Sequence, residues 1–152
     1  MARRAKLSAL WPAAVALVVS LVYVAWRLAE ANWDPVALAE IDRADAGGAP
    51  DGRNGYDGQF AYFMAVDLDP VSVSSRLDVP AYRYQRILLP LLARGLALGH
   101  PDWIPWTLVL VNLVAHTLGT AAVARVLDER GLWPGYALAY GCWVGLVAGV
   151  GL

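Results

Sequence analysis

The side chains best suited to chemistry in this 152-residue sequence are one aspartate and three arginines. Asp57 lies in Gly55-Tyr56-Asp57-Gly58-Gln59, with glycine close on either side. Its carboxylate can take a proton from a hydroxyl nucleophile or hold a divalent cation, and equally can cap the helix that follows. Arg83, Arg86 and Arg94 lie in one stretch that opens at Pro80. At 100° per residue, with Arg83 at zero, Arg86 falls at about 300° and Arg94 at about 20°, so the three share a stripe. A guanidinium donates in a planar fork that fits phosphate oxygens, and it can also snorkel toward lipid headgroups. Asp67, Asp69 and Asp78 read as solvated or capping groups.

These residues need elements to hold them. Residues 80–99 are expected to form one helix, since proline suits a first helical turn and Gly99 a stop. Tyr84, Leu88, Leu91 and Leu92 fall opposite the arginines, which makes this helix amphipathic. Its uncharged centre, residues 87–93, is too short to cross a bilayer, so the expectation is an interfacial helix, with a spanning one as the alternative. Residues 58–66 are expected as a second short helix capped by Asp57, after a Gly-, Asp- and Asn-rich turn tract at residues 46–55. Residues 67–77 break it.

The composition places the whole in a membrane. Hydrophobic residues make up 59% of the chain and charged residues 16%, against about 25% charged in soluble domains. Residues 7–26 carry no charge and have the length of a spanning helix. Further spans are expected at residues 104–124 and 134–152, joined by a loop at 125–133. Arg3, Arg4 and Lys6 precede the first span, whereas residues 27–86 hold ten acids and six arginines. The positive-inside tendency therefore puts residues 1–6 in the cytoplasm and the loop 27–103 outside. A cleavable signal peptide is the rival, because Ala29-Glu30-Ala31 offers a small-residue cleavage site.

The fold expected is thus all-α: a multi-pass cell-membrane protein with about three transmembrane helices and an interfacial helix in a large external loop. Asn112, His116 and Thr120 share a face of the second span. Ala137, Gly141, Gly145 and Gly149 repeat every fourth residue in the third, a spacing that lets other helices approach closely. Lone Cys142 excludes an intrachain disulfide. Phosphate-loop, dinucleotide, zinc and EF-hand spacings are absent, and no basic surface invites nucleic acid.

An apolar span, an external Tyr56-Asp57-Gly58-Gln59-Phe60-Ala61-Tyr62, then Tyr82-Arg83-Tyr84-Gln85-Arg86-Ile87-Leu88-Leu89-Pro90-Leu91-Leu92 and more spans together resemble the start of a bacterial GT-C-type membrane glycosyltransferase. That family carries Trp-Asp-Gly after its first span, where Tyr56 stands here, and a proline-containing juxtamembrane helix, which Leu89-Pro90-Leu91 would match. The resemblance implies that Asp57 is catalytic and that a polyprenyl-phosphate-linked sugar is the donor; Arg83, Arg86, Arg94, Gln59 and Tyr62 are then the expected substrate-binding residues. It implies no particular cofactor, although a divalent cation is compatible with Asp57. The apolar run reaching Leu152 without a polar flank suggests a fragment lacking further helices. The alternative to an enzyme is a non-catalytic scaffold or transporter component that binds anionic lipid.

Overall fold

The computed structural model describes residues 10–39 and 57–150. Every regular element among them is helical: α1 (Trp11–Glu30), α2 (Asp57–Val66), α3 (Pro70–Val73), α4 (Pro80–Arg83), α5 (Leu88–Leu96), α6 (Ile104–Glu129), α7 (Leu138–Gly141) and α8 (Val144–Val150), with 3-10 turns between several of them. The N-terminal residues 1–6, the start of the first expected span and the turn tract lie outside the described residues, as do Leu152 and its flank.

Two helical stretches are long and apolar enough to cross a membrane, Trp11–Glu30 and Pro101–Glu129. Much of their apolar surface, including Val18, Val22 and Leu118, is exposed rather than packed inside the protein. Such a surface is costly in water and neutral in lipid, which points to membrane association. Both helices outrun the expected spans. Leu28 is buried beyond Trp26, and Arg27 pairs with Glu30 one turn on, extending α1. The second helix runs on to Glu129, where Gly131 turns left-handed and the Leu132 N–H reaches the Leu127 carbonyl at 2.9 Å, a Schellman ending.

The stretch expected as a third span is not one helix. It begins with a 3-10 turn, Pro134–Ala137, continues as α7, breaks at Cys142 and Trp143, and resumes as α8. The break divides the described part of this stretch into two helical pieces, Leu138–Gly141 and Val144–Val150.

Residues 80–99 also differ from the single helix expected. A 3-10 turn, Tyr84–Arg86, separates α4 from α5. The cause is Pro90: it offers no N–H to the Arg86 carbonyl four residues back, and its ring crowds that carbonyl. The chain tightens ahead of it, so that the Ile87 N–H bonds Tyr84 instead, at 3.3 Å.

The described residues form two compact units. In the first, residues 10–26 and 112–150, α1 buries Ala13, Ala16, Ser20 and Val24 on one face. Gly141 fits closely here: a methyl group on it would lie 2.7 Å from Thr120 Cγ2 and 2.8 Å from Ala16 Cβ. In the second, residues 27–39 and 57–111, α2 is central. Its Ala61 and Ala65 meet Ala93 and Ala97 of the α5 segment, small against small, over Ile104 and Leu108. Its Phe60 and Met64 meet Val73 and Leu77, with Tyr84 and Ile87 at the margin.

Candidate functional site

Asp57 stands in the first turn of α2, where a negative charge meets the positive end of the helix dipole. The packing of Phe60 and Met64 fixes that end of α2 near Tyr84, and so brings Asp57 to the α4 arginines. Arg83 Nη1 donates to Asp57 Oδ1, and Arg86 Nη1 donates to Oδ2 at 2.8 Å. The carboxylate is thus shared between two guanidinium groups from 26 and 29 residues along the chain.

The 3-10 turn sets this convergence. With three residues per turn, side chains at i and i+3 eclipse, whereas an α-helix splays them by about 60°. Arg83 and Arg86 flank or occupy the tightened turn and can therefore face one carboxylate.

The two arginines differ in surroundings. Arg83 is only 11% exposed, against 57% for Arg86 and 67% for Asp57. Its Nε and Nη2 each donate to an oxygen of Asp78 at 2.8 Å, and its guanidinium lies 4.0 Å from the centre of the Phe60 ring. Hydrogen bonding from Asp78, opposed by burial and reinforced by Asp57, holds the Arg83 proton more tightly than usual. The same pairing holds the Asp78 carboxyl below the usual carboxylate range. Arg86 lies over Tyr82, 4.9 Å from the ring centre, and its Nη2 donates to the Tyr82 hydroxyl.

Asp78, Tyr82 and Phe60 thus belong to the cluster, although Asp78 was expected as a solvated or capping group and the other two were not among the expected site residues. Asp78 gave the one available signal, an acid two residues before a helix-opening proline, where capping was the evident role. Two carboxylates and two guanidinium groups leave the cluster without net formal charge.

The other expected site residues are placed apart or otherwise engaged. Arg94 donates to the carbonyls of Ala65 at 2.9 Å and Val66 at 2.5 Å, closing the C-terminus of α2. Gln59 is buried in α2. Tyr62 packs against the alanine cluster, where burial, followed by the charges of Asp102 and Asp34, raises its hydroxyl pKa. Asp67 accepts from Ser72 Oγ at 2.5 Å and the Asp69 N–H at 2.9 Å, and Asp69 caps α3.

No family model, curated protein or solved structure matches this chain. The site therefore stands on its own geometry. Among the described residues no three His, Cys, Asp or Glu side chains gather into a metal-binding group.

In the first unit, the expected polar stripe of α6 is engaged by the segment after the loop. Asn112 Nδ2 donates to the Gly149 carbonyl at 3.3 Å, and His116 Nε2 lies 3.0 Å from the Gly141 carbonyl. The Tyr140 ring stacks on His116 with centroids 5.9 Å apart. Thr120 Oγ1 bonds back to the His116 carbonyl.

Proposed function

We propose that this chain belongs to a membrane glycosyltransferase-like protein, which moves a sugar from a polyprenyl-phosphate donor to a hydroxyl acceptor at the external membrane face. In this reading α1 and α6 span the bilayer, the N-terminus is cytoplasmic and the segment carrying Asp57 is external. The observation that supports it most is the convergence of Asp57, Arg83 and Arg86 at one solvent-accessible point, in a segment lying between the two membrane-competent helices in sequence. The acceptor oxygen attacks the anomeric carbon as the bond to the phosphate oxygen breaks. The acceptor proton passes to Asp57, and the leaving phosphate takes the bonding electron pair, its charge met by guanidinium. A single displacement inverts the sugar.

The rival is a scaffold or transporter component that binds anionic lipid. It draws on Leu88, Leu91, Leu92 and Leu96 of α5, all exposed, which give a face for the bilayer interface. Against it, Asp57 and Asp78 cancel the charge of Arg83 and Arg86, so the cluster exerts little long-range pull on an anionic surface, and an anion is held there only through direct contact with a guanidinium fork.

Transfer from a polyprenyl-phosphate sugar, assayed with the protein at its natural length in membranes, tests the reading. Asp57→Asn is expected to lower the rate about a hundredfold or more, because the amide accepts no proton. Equal rates would remove Asp57 from the reaction.

A further inference from the structure

We infer that the two arginines on Asp57 have separate tasks: Arg83 is a fixed support, while Arg86 and the Tyr82 hydroxyl form an exchangeable site for a terminal phosphate that draws Arg86 away from Asp57. Only the carrier of that phosphate, a lipid-linked sugar, rests on the proposed transferase activity.

Arg83 makes three charge-assisted hydrogen bonds, two to Asp78 and one to Asp57, and is nearly buried over Phe60. Moving it would break all three and leave a poorly solvated cation. Arg86 is held by one carboxylate oxygen and one phenol, and more than half of it is open to solvent. Exposed ion pairs are weak and exchange partners readily. A phosphate offers the Arg86 fork two oxygens at once, a better match than the single oxygen it now shares. Tyr82 strengthens the site. Its oxygen accepts from Arg86, so its own hydrogen remains to be donated to an anion.

The exchange has a consequence for Asp57. Its Oδ2 is released into solvent-accessible space while Oδ1 stays held by Arg83, which is itself anchored by Asp78. Phosphate arrival therefore frees one oxygen of an otherwise oriented carboxylate, and that oxygen is the one able to accept a hydroxyl proton. Arg83 and Asp78 act as positioning residues in this scheme.

The experiment measures retention of labelled prenyl phosphate, phosphatidate and phosphate-free prenol by the protein in neutral nanodiscs, alongside thermal midpoints. Wild type should retain at least one phosphate in preference to the prenol, and whichever is retained identifies the source. Arg86→Ala should weaken that retention about tenfold or more with the midpoint little changed, since a charge-assisted fork is lost from an exposed position. Tyr82→Phe should weaken it less. Asp57→Asn should strengthen it, because the competitor for Arg86 is gone, and the gain should vanish in the Asp57→Asn, Arg86→Ala double variant. Phosphate retention that is unchanged in Arg86→Ala, or no greater than that of the prenol in wild type, overturns the inference even if sugar transfer is observed. Conversely, Arg86-dependent retention by a protein that transfers no sugar supports the exchange and removes the transferase activity.

Discussion

In the unit that holds Asp57, charge is met by charge: four ionic side chains from α2, α4 and the segments beside it neutralise one another at a solvent-accessible point. In the unit that holds His116, polar side chains on a long apolar helix reach backbone carbonyls instead. The Gly141 carbonyl is open to His116 because the helix stops there, and a continuous helix would have given it the Gly145 N–H. The first arrangement is tuned by titration and by competing ions. The second depends on shape, since it works only where two backbones come close, and a buried polar group that loses its partner there has no water to replace it.

The most severe way to break the second arrangement is to fill the close approach. Gly141→Leu is expected to destabilise by about 3 kcal/mol, since even its Cβ would crowd Thr120 and Ala16. Gly149→Leu, where a Cβ meets nothing within 4 Å, should stay within about 0.5 kcal/mol. Thermal unfolding in detergent compares the two, and equal losses would mean that Gly141 is not a packing point.

A smaller effect is expected from Asp78→Asn, which leaves Arg83 with one carboxylate instead of two and should cost about 2 kcal/mol. It carries a pH signature. Because the folded-state pKa of Asp78 is lowered by Arg83, its contribution is present above about pH 4 and is lost as pH falls through the lowered value. The wild type should therefore lose more stability than the variant between pH 5 and the acid limit, as followed by thermal midpoints. Parallel acid profiles would show that the pair contributes nothing. The smallest effect belongs to His116→Leu, about 1 kcal/mol, the usual net worth of a single hydrogen bond. A loss larger than that of Asp78→Asn would show that the second arrangement depends on this hydrogen bond and not on shape alone.

Legibility followed the same division. Both long helices could be read from uninterrupted apolar runs, and the Asn112, His116 and Thr120 face was readable because all three lie in one unbroken α-helix. Of the four-residue glycine series, Gly141 is the member whose Cβ position is crowded by another helix of this chain. Beyond it the break at Cys142 and Trp143 resets the phase, and within this chain a Cβ on Gly145 would meet the Trp143 ring, at 3.2 Å. The arginine stripe was readable only in part. A uniform 100° step put Arg94 beside Arg83, but the 3-10 turn shifts the phase between them, and Arg94 closes α2 instead. Asp78 was hidden for a related reason. It pairs with a residue five positions on, across the start of a helix, a spacing that helical periodicity does not select.

Pro90 carries no charge and enters none of the hydrogen bonds around Asp57, yet it dictates the pitch that aligns Arg83 with Arg86. What would mark a distant relative is then a phrase rather than a pair of basic letters: arginine, two residues, arginine, three residues, proline, preceded by an aspartate five positions before the first arginine. A chain with the two arginines but no proline four residues later would spell the same charges in a different geometry.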